Sequence, residues 1–148
     1  MEIVKYKKLH PNAIEPTKGS EKSAGNDLYA ILPKGQGCVQ IAPHTNTKIH
    51  TYLAIQAPKN TFGAIFPRSG LSINQGLNLA NGVGICDEDY TGEYIIALHN
   101  YTDEMQTIHN GDRIAQLVFV PYIPVIFKEV EELDKTERGN GGFGSTGR

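Results

Sequence analysis

Five short segments combine glycine, which frees the backbone, with side chains suited to phosphate, metal or a nucleobase. They are Ala24 to Ala30, Pro67 to Ser72, Asn81 to Glu93, Gly111 to Leu117 and Arg138 to Gly147. In Pro67-Arg68-Ser69-Gly70, Arg68 offers a planar, permanently charged fork for phosphate oxygens. Ser69 adds a hydroxyl and a backbone N–H, and Gly70 permits close approach at the start of a predicted helix. An anion is the natural guest, although a helix cap with a surface ion pair would use the same residues. In the third segment Asn81-Gly82 opens a tight turn, and two β-like arms enclose Asp87-Glu88-Asp89-Tyr90. The Asn81 amide carries both a donor and an acceptor, the complement of a uracil edge. Taken alone, the acidic tetrapeptide also fits a solvated turn, and Asp27, after Gly25-Asn26, fits a turn as well.

The last segment holds five glycines and one large apolar side chain in the eleven residues from Arg138 to Arg148. Such a stretch cannot bury enough surface to offset its ordering entropy and should be mobile on its own. Phe143 can stack on a nucleobase face, Arg138 can meet a phosphate, and Gly144, Ser145 and Thr146 can wrap phosphates with N–H and hydroxyl donors. The segment 138–148 therefore reads as a lid on a domain spanning 1–137, where a glycine-rich end is more often a mere flexible terminus.

In order and spacing these segments resemble the five motifs of the trimeric dUTPase family, and the resemblance runs from residue 24 to residue 147. It implies hydrolysis of dUTP to dUMP and pyrophosphate. Arg68, Ser69, Gly70 and Gln116 would then contact the phosphates. Uracil would be taken by the Asn81 amide and by backbone groups around Gly84, Ile85 and Cys86. Asp87 would be the general base that deprotonates the attacking water, and Tyr90 would pack beneath the deoxyribose and leave no room for a 2′-hydroxyl. Asp27 would act on Mg²⁺ through metal-bound water, since magnesium keeps several waters while bridging phosphates. The resemblance also implies a homotrimer with shared sites: Asp27, Arg68, Ser69 and Gln116 from one subunit, Asn81 to Tyr90 from a neighbour, the tail from the third. Cys86 departs from the family pattern, where an aliphatic residue is usual, and is expected to pack as a small hydrophobe. Asp112 and Arg113 are expected to form an ion pair. The rivals are a dCTP deaminase-type or bifunctional enzyme, and a regulatory binding protein on the same fold.

These groups need a scaffold, and its pattern is mostly of period two. Strands are predicted at Glu2 to Lys7, Cys38 to Ile41, Thr47 to Ile55, Phe62 to Phe66, Tyr94 to His99, Arg113 to Val120 and Val125 to Val130, separated by Pro, Gly and Asn turns. Ser69 to Gln75 is the one helix candidate, and nothing between strands is long enough for βαβ crossovers. The expected fold is all-β, a distorted jelly roll or sandwich-like barrel with at most one short helix and a flexible glycine-rich tail. At 148 residues the chain should have one core. A net charge of −2 leaves no footprint for nucleic acid, and the short apolar runs and charged N-terminus point away from a membrane. Cys38 and Cys86 read as free thiols of a cytoplasmic protein, with no zinc spacing. The five histidines are scattered and carry no ligand or triad pattern.

Overall fold

The computed structural model describes residues 2–142. The strands, in chain order, are β1 (Lys5–Lys8), β2 (Thr17–Lys18), β3 (Asn26–Tyr29), β4 (Cys38–Ile41), β5 (Asn46–Gln56), β6 (Thr61–Phe66), β7 (Leu77–Leu79), β8 (Gly84–Cys86), β9 (Glu93–Asn100), β10 (Gln106–His109) and β11 (Arg113–Pro121); helix α1 (Ser69–Gln75) lies between β6 and β7. One sheet has the order β1-β5-β9-β7, the other β2-β3-β11-β6-β8, and β10-β4 forms a separate ribbon. Every pairing is antiparallel. The core lies where the inner faces meet, with Leu53, Ile55, Leu77, Ile96 and Leu98 from the first sheet against Leu28, Ile65 and Leu117 from the second. This is the all-β jelly-roll sandwich that the hydrophobic pattern predicts.

Alternation of buried and half-buried positions over Asn46–Gln56 and Glu93–Asn100 is the period-two signal at work. Helix α1 spans the expected seven residues. It stops at Gly76, which takes the left-handed conformation (φ 61°) that a Cβ would oppose. The predicted strand at Glu2 to Lys7 is shifted to Lys5–Lys8 by its register on β5, Lys5 facing Gln56. Five short strands (β2, β3, β7, β8 and β10), each of two to four residues, gave no readable periodicity. The expected strand at Val125 to Val130 does not form: regular structure among the described residues ends at Pro121, and Ile126 and Phe127 are both 96% exposed. A strand needs a ladder partner and a surface to cover, and this chain offers that stretch neither.

Asn100, fully buried at the end of β9, ties the helix to the sheets. Its Nδ2 donates to the carbonyls of Ile41 (2.9 Å) and Glu104 (2.7 Å), while Oδ1 accepts from Thr102 N–H (2.9 Å) and hydroxyl (2.8 Å). Next to it Tyr101 N–H donates to the Gly76 carbonyl at 3.0 Å, so the C-terminal end of α1 hangs on this knot. Asn100→Ala should cost about 2–4 kcal/mol in denaturant unfolding, because Ile41 and its neighbours lose buried partners. A cost near that of a surface substitution would show that the knot does not fix the fold.

Candidate active site

Three adjacent strands bring the first group together. Asp27 on β3 faces Gln116 on β11, and Gln116 faces Phe66, the last residue of β6. Two residues further on, Arg68 returns over the sheet and donates from Nε to Asp27 Oδ1 at 2.8 Å. Arg113 donates to Asp27 Oδ2 at 3.2 Å, and Arg68 also reaches the Arg113 carbonyl at 3.2 Å. Residues 113 and 116 would face opposite sides of a regular strand, being three apart. A bulge between Arg113 and Ala115 corrects this by one residue and sets both beside Asp27. The expected Asp112–Arg113 pair is thereby replaced: Asp112 accepts from His109 N–H at 2.7 Å, and Arg113 goes to Asp27.

Two guanidiniums around one carboxylate leave a net positive charge in a cavity of about 210 Å³ walled also by Ser23, Gly25, Ser69 and Gln116. Gln116 donates from Nε2 to the Pro67 carbonyl at 2.9 Å, which turns its amide oxygen over Gly25. A Cβ at Gly25 would collide with that oxygen, so the Gln116 amide could hold this position only beside a glycine and would have to swing away from any larger residue. At the start of α1, Ser69 and Gly70 are exposed and belong to the first turn, whose N–H groups have no acceptor within the helix. Gly70 opens with Arg68 and Arg113 onto a neighbouring cavity of about 330 Å³. The arrangement is built to receive anionic oxygens.

The second group is built on β8. This strand pairs with β6, whereas β7 pairs with β9 in the other sheet. The Asn81 segment is therefore a crossover between sheets and not a hairpin whose arms pair with each other. Packing accompanies this: Leu77 and Leu79 bury into the core, and Gly84, where a Cβ would lie 3.0 Å from Ile65 Cβ, lets β8 lie close against β6. Gly82 (φ 70°) turns the chain, with Val83 N–H donating to the Asn81 carbonyl at 2.8 Å. As an edge strand, β8 keeps one row of backbone N–H and C=O groups free of ladder partners beside the exposed Asn81.

Beyond β8, exposed Asp87 lines a cavity of about 880 Å³ with Phe62, Ile85, Glu88, Asp89 and Tyr122. Glu88 holds the turn by accepting from Asn60 N–H (2.8 Å) and the Tyr122 hydroxyl (2.9 Å), a bond that pushes that phenol up from its ordinary pKa. The Tyr90 ring folds back over Gly92, where a Cβ would come within 2.6 Å of its hydroxyl, and that hydroxyl donates to the Glu93 carbonyl at 2.9 Å. Cys86 is buried with its thiol beside Tyr94, and burial pushes the thiol up, so it stays protonated and only its backbone can face a ligand. The Tyr94 hydroxyl, also pushed up by burial, has no hydrogen-bond partner among the described residues.

The two groups stay apart within one chain. Asp87 follows the β8 residue opposite Gly63, near the start of β6, while Arg68 lies past its end, roughly 20 Å away at the usual rise per strand residue. Their cavities share no lining residue. Arg138 is exposed, donates from Nε to the Gly141 carbonyl at 2.9 Å, and belongs to neither group. Phe143, Gly144, Ser145 and Thr146 lie outside the described residues. Arg113 as a second partner of Asp27 was hidden from the sequence because a bulge leaves no mark in hydrophobic periodicity. The close approach of Gly25 to Gln116 was equally hidden.

The family model for dUTPase matches residues 11–147. The chain belongs to the dUTPase family. Among its dUTPase relatives is the deoxyuridine 5'-triphosphate nucleotidohydrolase of Syntrophotalea carbinolica, 43% identical over 97% of this chain and 96% of that protein. The protein of the same name from Escherichia phage T5 is 42% identical, with 98% of this chain and 99% of the relative covered. The dUTPase of Staphylococcus bacteriophage 80alpha, solved with dUPNHPP, superposes with a TM-score of 0.88 at 28% identity over 100% of both chains. A dUTPase mutant from phage phi11 of S. aureus, whose structure describes coordination of a structural Mg(II) ion, shares the fold (TM-score 0.79, 24% identity, 90% of this chain and 100% of that one).

Because Asp27 pairs with both guanidiniums, Asp27→Ala should lower unfolding stability by about 2 kcal/mol, less than for a fully buried pair. The double variant Asp27→Ala/Arg113→Ala should cost less than the sum of the single variants, since one interaction is lost in both. Strict additivity in denaturant titrations would remove the shared ion pair.

Proposed function

We propose that this chain is a dUTP diphosphatase that converts dUTP to dUMP and pyrophosphate, with Asp87 as general base. The observation that carries the reading is the pairing of a free edge-strand backbone at Gly84–Cys86 with Asn81 on one side and Asp87 on the other. Uracil, with acceptor–donor–acceptor character along its edge, suits backbone groups of β8 and the Asn81 amide. Cytosine presents the wrong pattern. Asp87 then stands two residues from the base-reading strand position Ile85, in reach of the α-phosphate region. Its carboxylate takes a proton from water as the water oxygen bonds to the α-phosphorus, and the bridging bond to the β-phosphate breaks to release pyrophosphate. Such help is worth about 10²- to 10⁴-fold, or roughly 3–5 kcal/mol of barrier. Tyr90 seats the deoxyribose on its ring and closes the space for a 2′-hydroxyl. The dCTP deaminase and binding-protein alternatives gain no support from the relatives.

Arg68, Ser69, Gly70 and Gln116 take the phosphates in this reading, and Asp27 serves mainly by holding Arg68 at 2.8 Å. Among the described residues no trio of His, Cys, Asp or Glu could cage a metal by itself. The residues fit magnesium that arrives on the triphosphate: each Asp27 oxygen, having given one lone pair to an arginine, keeps another for a metal-bound water. When bound, Mg²⁺ supplies neutralisation of the phosphate charge. The separation of the Asp27–Arg68 group from the Asp87–Tyr90 group supports sites shared between subunits of a homotrimer, the first group from one chain and the second from its neighbour. The tail 138–148, with Arg138, Phe143, Gly144, Ser145 and Thr146, closes the site as a lid from the third chain.

Asp87→Asn should keep dUTP binding and assembly but slow turnover at least about 100-fold, because an amide cannot accept the proton. Near-normal pyrophosphate release would eliminate Asp87 as base. A chain ending at Glu137 should keep the melting temperature and assembly of the full-length protein while turnover falls by about two or more orders of magnitude, since closure excludes water and aligns the phosphates. Full activity in the truncated protein would refute the lid, and failure to assemble would make the tail structural.

A further inference from the structure

Tyr90 rests on an unusual piece of backbone. Between the pairs His50↔Ile95 and Ala54↔Glu93, β5 carries two more residues than β9, and the bulge contains Tyr52 at φ 51°. A bulky residue rarely adopts that left-handed conformation and keeps it only when its surroundings hold it. Here the holder is Glu93. Its Oε1 accepts from Tyr52 N–H at 2.8 Å, and both its oxygens lie 3.1 Å from His50 Nδ1. The His50 ring stacks on Tyr52 (centroids 5.0 Å, 20° between planes), and His10 covers Tyr52 from another direction at 5.1 Å. Thr51 adds a hydroxyl bond to the Tyr94 carbonyl at 2.6 Å. The bulge thus grips Glu93 and Tyr94 by both side chain and backbone.

The same two residues carry Tyr90. Its hydroxyl donates to the Glu93 carbonyl at 2.9 Å, and its ring lies 6.0 Å from the Tyr94 ring. Gly92 leaves room for the ring to fold back. We infer that Glu93 is a positioning residue for sugar discrimination: its carboxylate, fixed by His50 and the Tyr52 N–H, sets the height of the carbonyl that anchors Tyr90. The inference rests on the reading of Tyr90 as the seat of the deoxyribose. A ring held at one height excludes one hydroxyl; a ring free to sink admits it. The Glu93 side chain is only 16% exposed and is aimed at the bulge, which makes it a support and not a contact of the nucleotide.

The test uses the full-length protein and compares kcat/KM for dUTP and UTP in the wild type, Glu93→Ala and Glu93→Gln, with unfolding curves for each. Glu93→Ala should reduce the dUTP-over-UTP ratio about tenfold or more, with the loss for dUTP appearing as a raised KM and a nearly unchanged kcat. Glu93→Gln, which keeps an acceptor for Tyr52 N–H, should restore the ratio to within about threefold of wild type. A folded Glu93→Ala protein with the wild-type ratio overturns the inference. Where the alanine variant does not fold, Glu93→Asp, one methylene too short to reach both His50 and Tyr52, is judged on the same criterion. A wild type that hydrolyses dUTP without favouring it over UTP would instead remove the sugar-seat reading itself, which separates the two failures.

Discussion

A carboxylate shared by two guanidiniums is the constraint on which the arginine-lined side of this molecule depends. Asp27, Arg68 and Arg113 come from β3, the β6–α1 junction and β11, so the ion triad is also a clamp across neighbouring strands of one sheet. Each arginine alone would repel the other, and the carboxylate alone would repel a phosphate. Together they form a fixed positive site whose donors are already oriented, so little reorganisation is needed when an anion arrives. The bulge in β11, the glycine at position 25 and the amide of Gln116 all serve the geometry that this triad imposes.

The β8 side obeys a different constraint, the need to leave backbone groups unpaired without exposing a sticky edge. β8 has only three residues, and its flanks leave the sheet at once, upstream across to β7 and downstream into the acidic turn of Asp87, Glu88 and Asp89. Short length and adjacent negative charge are the usual protections of a free edge. Here they also leave that edge open to a small planar partner. Cys86 and Tyr94, buried beneath it, fill the space under the strand without offering a reactive thiol.

Much of this was legible in the amino-acid order. The long strands β5 and β9 alternate with period two because one face of each meets the core, and α1 occupies the predicted stretch Ser69 to Gln75. The five glycine-bearing segments located the family and the residues to watch. What could not be read were features that depend on register. Arg113 and Gln116 share a face only through a bulge, Asp27 finds Arg113 in place of Asp112's partner role, and the Asn81 segment joins two sheets where composition suggested paired arms. The stretch from Val125 to Val130 carries a strand-like pattern, but a pattern specifies only a face, and this chain provides nothing for that face to cover.

The distance between the two groups along β6 has a genetic consequence. In the proposed assembly, where the Asp27–Arg68 group and the Asp87–Tyr90 group of one site come from different chains, a lesion at Arg68 and a lesion at Asp87 carried by different polypeptides do not always fall in the same site. Mixed oligomers of two individually dead proteins would contain some sites that draw an intact half from each parent, and so recover part of the activity. Two lesions within one half, such as Asp27 with Arg68, could never be rescued in this way. Co-expressed alleles would thus sort into two complementation groups, one for each end of a single six-residue strand.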